Sequence, residues 1–340
     1  MVKKIDWERQ LGRRLKLRDL HVFFTVVQLG SMAKAASQLG VSQPTVSEVI
    51  ADLEHTYGVR LFDRKPQGVT LTIYGSALLK RGAAAFDELK QSGRDIEFLT
   101  DPTAGEITIG SVESITGTLL PAAIQRFSEN FPRVVLKVDT VSSAGNFEGL
   151  RERRYDFFLS RPMQSYQSNI YGDDLDVEFV FDDPLVVVAG SGNPLTRRRK
   201  IHLEDLMDEP WIMPPPETFY YHRVVDAFSA FGLAMPKGSL VTLSVQLRTN
   251  LLVGGRYLTA VPNSLLVLNV GAASLKRLQI DLPVPPFAVT VVTLKNRTLS
   301  PVVERFIECI RETARTIAGP PPDDKTKGRN AGLKSRRPRR

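Results

Sequence analysis

The sequence predicts two architectures in one chain: a small all-α segment closed by a β-hairpin near the N-terminus, and an α/β region over about residues 105–318. Three observations carry this expectation. From Ser31 to about Leu99 apolar residues recur at helical spacing. Inside that span, Arg60 to Leu71 places two short apolar stretches around a basic Pro/Gly turn, which reads as a hairpin. After Asp101-Pro102-Thr103-Ala104-Gly105, short apolar runs alternate with helical patterns, the signature of α/β organisation.

Taken in order, Ala33, Ala36 and Leu39 mark one face of a first short helix, and Gly40 suits the left-handed residue that ends it. Ser42 caps a second helix, with Pro44 in its first turn, where a missing N–H costs nothing. Val46, Val49, Ile50, Leu53 and Tyr57 follow the spacing of a buried stripe, so Pro44, Glu48, Ala51, Asp52 and His55 point outward. Together these segments read as a helix-turn-helix over about residues 32–51. A helical hairpin in an ordinary core is the plain alternative, but the spacing, the caps and the hairpin that follows all favour DNA binding.

In such a motif the N-terminal residues of the second helix reach base edges in the major groove. Ser42, Gln43, Thr45 and Ser47 are the short polar side chains at that end. Gln43 can pair with adenine, and Thr45 offers a hydroxyl and a methyl. Arg64 and Lys65, near the hairpin tip, suit phosphate contacts that fix register, although a solvated turn carries such residues too. Glu48, Asp52 and Glu54 make the second helix acidic, so the cations that neutralise phosphates come from elsewhere. Residues 1–18 hold seven Lys/Arg, Arg18 among them, against two acids, a net of +5, and Lys34 and the hairpin add to that supply. Glu48 either accepts from a cytosine amino group or excludes wrong sequences.

Thr72 can cap a long helix running to about Leu99. Gly75, Leu79, Gly82, Phe86, Leu89, Gly93 and Ile96 alternate by four and three, an a/d heptad register. Each glycine costs about 1 kcal/mol relative to alanine, so the three fit close helix approach or bending better than stability. An amphipathic helix packed on its own domain is the other reading.

The chain has 340 residues and a net charge of +8, which sits at its ends. Residues 319–340 carry eight Lys/Arg and two Asp, a net of +6, leaving −3 for everything between the two basic termini. That tail has the composition of a disordered segment, suited equally to nonspecific DNA affinity or to solubility. The single cysteine, Cys309, excludes an internal disulfide and falls in a helical pattern as a packing residue. No apolar run is long enough to span a bilayer and no signal peptide is evident, so a cytoplasmic location is expected. The four histidines, His21, His55, His202 and His222, lack metal-ligand spacing. With no nucleotide-binding loop or catalytic motif either, no metal, no cofactor and no enzyme activity are expected.

The N-terminal region resembles a LysR-type transcriptional regulator. Leu17-Arg-Asp-Leu20-His-Val-Phe23-Phe24 and Ser31-Met-Ala-Lys-Ala35-Ala36 are similar to the family's first two helices. Ser42-Gln43-Pro44-Thr45-Val46-Ser47, Ile50, Leu53-Glu54 and Gly58 resemble the recognition helix and its exit. Leu61-Phe62-Asp-Arg64 and Leu71-Thr72-Ile-Tyr-Gly75 resemble the wing and the start of the following helix. Glu48 and Tyr57 depart from the family's usual residues. The resemblance implies DNA-contacting residues at Arg18, Ser31, Lys34, Ser42, Gln43, Pro44, Thr45, Ser47, Glu48, Arg64 and Lys65. It also implies a linker helix that pairs two subunits on two-fold DNA.

The expected organisation is a basic arm (1–14), a winged helix-turn-helix domain (15–72), a linker helix and hinge (73–104), an effector-binding domain (105–318) and the basic tail (319–340). In the α/β region, strands are expected at Ile107–Gly110, Val134–Val141, Asp156–Ser160, Leu185–Ala189, Tyr257–Val261 and Phe287–Leu294. Helices are expected at Leu119–Asn130, Tyr220–Phe231, Gln246–Val253 and Pro301–Ile317. The resemblance implies two subdomains of periplasmic-binding-protein type, one over about residues 105–180 and 283–318, the other over about 181–282.

Ligands of open α/β sheets sit beyond the carboxyl ends of strands, which directs attention to residues just after each strand. These are Ser111, Glu113, Ser114 and Thr116; Thr140, Ser142 and Ser143; and Met213, Pro214, Glu217 and Thr218; Arg256 and Thr259, by the Gly254-Gly255 turn, complete the set. Ser114 is the best positional match to the family's effector-contacting hydroxyls, and Arg256 can pair with an anionic effector. Serine and threonine after strands also simply cap the next helix. Convergence from four segments favours the set over any single member.

The expected function is effector-modulated DNA binding by a homodimer or homotetramer, with double-stranded DNA, a small-molecule effector and RNA polymerase as partners and no membrane. Two alternatives stand beside it. One is an architectural DNA-binding protein whose C-terminal half is an oligomerisation scaffold without a ligand. The other is an enzyme with a regulatory DNA-binding domain, for which no catalytic constellation is visible.

Overall fold

A computed structural model of the protein describes residues 15–65, 68–141, 147–161, 171–268 and 274–318. The N-terminal arm, Pro66, Gln67, Ser142, Ser143 and the basic tail lie outside the described residues. The chain divides into two units between Ser92 and Gly93.

The first unit is built from α1 (Leu17–Leu29), α2 (Met32–Leu39), α3 (Gln43–Tyr57), the hairpin β1 (Phe62–Lys65) and β2 (Gly68–Leu71), and the start of α4 (Ile73–Thr100). Ser31 Oγ accepts from the Lys34 N–H (3.4 Å) and Ser42 Oγ from the Thr45 N–H (3.3 Å), so both serines cap the helices they precede. Gly40, at φ 66°, makes the left-handed turn between α2 and α3. Phe23, Val26, Ala35, Val46, Ile50, Leu53 and Leu61 fill the core. Burying each of the large apolar side chains contributes about 1.5–3 kcal/mol. The buried face of α2 is Met32, Ala35 and Ala36, and Ala33 is exposed. That corrects the sequence expectation by one position: after the Ser31 cap the first inward residue is Met32, and spacing of three and four from it reaches Ala35 and Ala36.

The α4 seam divides along its length. A Cβ on Gly75 would lie 2.2 Å from Leu61 O, and one on Gly82 would lie 2.8 Å from the Phe24 ring. Phe86 meets Phe24 edge to face at 5.3 Å. These residues pack onto their own unit, whereas Leu89 and Ile96 further along the seam are 49% and 65% exposed.

The second unit opens with the end of α4 and continues as two five-stranded sheets. The first has the order β4-β3-β5-β12-β6, from β3 (Ala104–Val112), β4 (Arg133–Val141), β5 (Phe157–Ser160), β6 (Leu175–Asp183) and β12 (Phe287–Leu294). The second has the order β11-β7-β10-β8-β9, from β7 (Leu185–Gly190), β8 (Trp211–Met213), β9 (Gly238–Val241), β10 (Leu258–Pro262) and β11 (Leu275–Arg277). The chain leaves the first sheet after Asp183 and enters the second at Leu185. It returns between Arg277 and Phe287. In the first sheet β3 runs parallel to β4 and β5, while β12 runs antiparallel to β5 and β6.

Helices complete both layers: α5 (Glu113–Thr116), α6 (Leu119–Asn130), α7 (Glu148–Arg151), α8 (Phe219–Ser229), α9 (Val245–Val253), α10 (Ser264–Leu268) and α11 (Pro301–Ala318). Phe127 of α6 packs edge to face against Phe306 of α11 at 4.9 Å over the first core, which includes Ile107, Ile109 and Phe157. Trp211, Val187, Phe228 and Leu258 lie in the core under the second sheet. Cys309 is a buried free thiol, its pKa pushed up by burial, against Ala123 O at 3.5 Å. Asp156, just before β5, accepts from Arg94 Nη1 (2.7 Å), Arg297 Nη2 (3.2 Å) and the Thr108 N–H (2.8 Å), so a buried carboxylate joins α4, β3 and the loop after β12.

Candidate DNA-reading helix and effector cleft

The first turn of α3 presents Ser42, Gln43 and Pro44 to solvent, with Thr45 and Ser47 half-buried. The Ser42 and Thr45 hydroxyls lie 2.8 Å apart, which fixes the Thr45 rotamer. Gln43 is thereby the long polar side chain of the turn with no internal hydrogen bond among the described residues. Arg18, Lys34, Glu48, Arg64 and Lys65 are exposed, and Ser31 is half-buried as a cap.

The hairpin is placed by contacts outside itself. Its register pairs Phe62 with Leu71 and Lys65 with Gly68. The Val69 N–H donates to Gly30 O (2.9 Å), and at Gly68, whose φ is 136°, a Cβ would meet Gly30 O at 2.4 Å. Glu54 Oε1 accepts from the N–H groups of Leu61 (2.7 Å) and Phe62 (3.3 Å). Glu54 is therefore a wing anchor, and the exposed acids of α3 are Glu48 and Asp52. Helical spacing alone groups the three acids, because it does not reveal a backbone partner seven residues away.

In the second unit, the carboxyl ends of β3, β5 and β6 meet the start of the second sheet. Arg161 directly follows β5. Its Nε donates to Ser114 Oγ (3.1 Å) and its Nη2 to Asp183 Oδ2 (2.8 Å). Asp183, fully buried at the crossing between sheets, also accepts from the Ser264 N–H (2.9 Å) and Ser264 hydroxyl (2.6 Å). Glu113 Oε1 accepts from the Val245 N–H at the start of α9 (2.9 Å), which links the two subdomains across the cleft. The Arg161 guanidinium lies 5.8 Å from the Phe287 ring centre, which stacks with Tyr220 at 5.4 Å, and Arg248 lies 5.8 Å from the Tyr220 ring. Burial raises the Tyr220 pKa, opposed by Arg248 and Arg161, and its hydroxyl donates to Ala260 O.

Several sequence candidates fall elsewhere. Ser111 is fully buried inside β3, its hydroxyl on Val112 O (3.2 Å), because that strand runs two residues past Gly110. Thr259 is fully buried in β10 and donates to Ile212 O (2.8 Å), so its hydroxyl serves the sheet. Thr218 caps α8, accepting from the Tyr221 N–H (3.2 Å) and donating to Pro215 O (2.6 Å), and Pro214 is buried. Arg256 is exposed and lies 5.6 Å from the Tyr257 ring centre. Ser114 and Thr116 remain at the cleft, Thr116 donating to Val112 O (3.2 Å) and standing 3.5 Å from the Thr140 hydroxyl. Arg161 and Arg248 are not among the sequence candidates. Arg161 obeys the same after-the-strand rule as Ser114, one residue past β5; Arg248 lies inside a helix, where that rule does not look.

A groove of about 670 Å³ between β6 and α11 offers no comparable chemistry. Its Glu178 and Glu308 are both paired with Arg311, at 2.6 Å and 2.7 Å.

Residues 17–76 match the bacterial regulatory helix-turn-helix protein, lysR family, and residues 100–315 match the LysR substrate binding domain. The chain belongs to the LysR family. It is a transcriptional regulator and not an enzyme, as the motif inventory indicated. LysR relatives include the regulator TdcA of Escherichia coli K12, 27% identical over 87% of this chain and 93% of the relative. GltC of Bacillus subtilis, a transcriptional dual regulator, is 26% identical over 87% and 96%. A full-length OxyR variant from Pseudomonas aeruginosa shares the fold with a TM-score of 0.59 at 21% identity, covering 89% of this chain and 96% of that one. Full-length CbnR in complex with its target DNA gives 0.56 at 20% identity over 88% and 100%. The α/β architecture with an N-terminal helix-turn-helix is thus the LysR arrangement. Among the described residues, no helix is long and apolar enough to cross a membrane and no group of His, Cys, Asp and Glu is arranged to hold a metal ion.

Proposed function

We propose that this LysR regulator binds promoter DNA as a homodimer or homotetramer, and that a small molecule held between its two sheets changes how the subunits sit on that DNA. Gln43, Thr45 and Ser47 are the base-reading residues; Arg18, Ser31, Lys34, Ser42, Pro44, Arg64 and Lys65 position the backbone, and Glu48 selects against wrong sequences. The exposed apolar end of the α4 seam, Leu89 and Ile96, is the subunit contact. Residues 1–14 and 319–340 add cations to the clamp, RNA polymerase is the protein partner at the promoter, and the site of action is the cytoplasm.

The observation that carries the effector reading is Arg161, which ties Ser114, Asp183 and thereby Ser264 into one network at the crossing between the subdomains. An occupant that rearranges this network changes the angle between the sheets, and effector and DNA affinities are then linked reciprocally. Footprinting of bound promoters against a metabolite panel tests this. The native protein shifts its footprint with an effector, and Ser114→Ala keeps the basal footprint but loses the shift. A footprint that no metabolite changes, in protein that no metabolite stabilises against heat, supports the ligand-free architectural alternative.

A further inference from the structure

The cleft holds hydrogen-bond donors that the fold leaves unused. Arg161 is 6% exposed and commits Nε to Ser114 and Nη2 to Asp183, yet its Nη1 has no acceptor among the described residues. Arg248, 4% exposed, leaves Nε in the same state, and so does the neighbouring Thr249 hydroxyl. A buried cationic donor without a protein acceptor is costly, so the site is built for something that brings acceptors. Two acids of the cleft are already engaged. Asp183 accepts from Arg161 and twice from Ser264, and Glu113 accepts from the Val245 N–H. The stacked rings of Phe287 and Tyr220, with Arg161 against the first and Arg248 against the second, give the site an apolar wall.

We infer that the effector is a small organic carboxylate whose oxygen accepts from Arg161 Nη1, with Arg248 as the second cation of the site. This rests on the effector reading above and names its chemistry. Two features select a carboxylate over a phosphate. Arg161 offers one free nitrogen and no fork, which suits a single oxygen contact. Asp183, 2.8 Å from the same guanidinium, already offsets part of its charge, and a doubly charged ligand would meet that carboxylate unfavourably. Arg256, exposed on the protein surface, has no part in this site.

The test uses the full chain and thermal unfolding with propionate, benzoate and lactate at millimolar concentration, each beside its neutral amide, and with inorganic phosphate. At least one carboxylate raises Tm in a concentration-dependent way, its amide does not, and phosphate has less effect. Arg248→Met and Arg161→Lys each weaken that carboxylate by about tenfold or more, the loss expected for one hydrogen bond to a charged group. Arg248→Met also supplies a readout without ligand: removing an unpaired buried cation leaves the Tm of the free protein unchanged or raises it. Amides that stabilise as well as their acids overturn the carboxylate assignment while leaving the effector reading intact. No response to any carboxylate overturns it too, as does a sharp fall in the free protein's Tm for Arg248→Met.

Discussion

Glu54→Ala sets two physical effects against each other on one residue. By charge alone, removing an acid from the DNA-reading helix tightens binding. A carboxylate about 10 Å from a phosphate repels it by about 0.4 kcal/mol in water before salt screening, which is about twofold in affinity. Structurally, the same change removes the acceptor of the Leu61 N–H at 2.7 Å and the weaker Phe62 bond at 3.3 Å, beside side chains that are 1% and 4% exposed. An orphaned buried N–H costs about 1–3 kcal/mol, so the first unit loses about 2–3 kcal/mol and the wing loses its anchor. If Arg64 and Lys65 then leave the phosphates, the slope of log affinity against log salt falls by roughly 1.8, at about 0.9 per contact. Fluorescence anisotropy on a mixed-sequence duplex across a salt series, with urea unfolding in parallel, measures both. Glu48→Ala, exposed on the same helix, serves as the charge control and tightens binding about twofold. The reasoning fails if Glu54→Ala binds more tightly than native, keeps the native salt slope and unfolds at the native midpoint.

Further expectations follow from the same geometry. Gly75→Ala drives a Cβ to 2.2 Å from Leu61 O, an overpacking cost of about 1–3 kcal/mol that outweighs the gain of about 1 kcal/mol in helix propensity. Gly93→Ala has nothing within 4 Å and keeps that gain, so urea midpoints move in opposite directions; movement in the same direction refutes the packing account. Arg311 holds Glu178 below its ordinary carboxylate value of 4.5, so the pair contributes above that pH and its contribution is lost as pH falls through the lowered value. The Tm gap between native protein and Glu178→Gln therefore closes on acidification, and a widening gap would sink the assignment. Gln43→Ala loses discrimination at particular operator positions; a uniform loss over all sequences would place Gln43 on the backbone instead.

The parts of this protein legible in its sequence are those set by local chemistry. Ser31, Gly40 and Ser42 announce the turn of the helix-turn-helix because caps and left-handed residues act within one turn of chain. Leu119–Asn130 and Phe287–Leu294 are readable to the residue, as each is a clean apolar period between breakers. β6 escapes notice because its acid-rich Leu175-Asp-Val-Glu-Phe-Val-Phe-Asp-Asp183 is an edge strand, held in place by β12 more than a hundred residues later. The cleft network is less legible still. Arg161 meets Asp183 across 22 positions and Asp183 meets Ser264 across 81, and nothing in the spacing of either pair encodes the contact. Ser111 misses the cleft because its strand ends two residues later than expected, and Thr259 because it sits inside its strand, with its hydroxyl on the neighbouring strand's Ile212 O.

The hairpin's attachment to Gly30 has a consequence for how this regulator can change. Its position is set by the end of α1, through Val69 and Gly68 on β2, and by Glu54 through Leu61 and Phe62, while Arg64 and Lys65 stay exposed on β1. Placement and tip chemistry are thus governed by different residues. Substitutions at Arg64 and Lys65 can retune grip on the phosphates without moving the hairpin, so DNA affinity can drift independently of the geometry that decides which bases Gln43 meets.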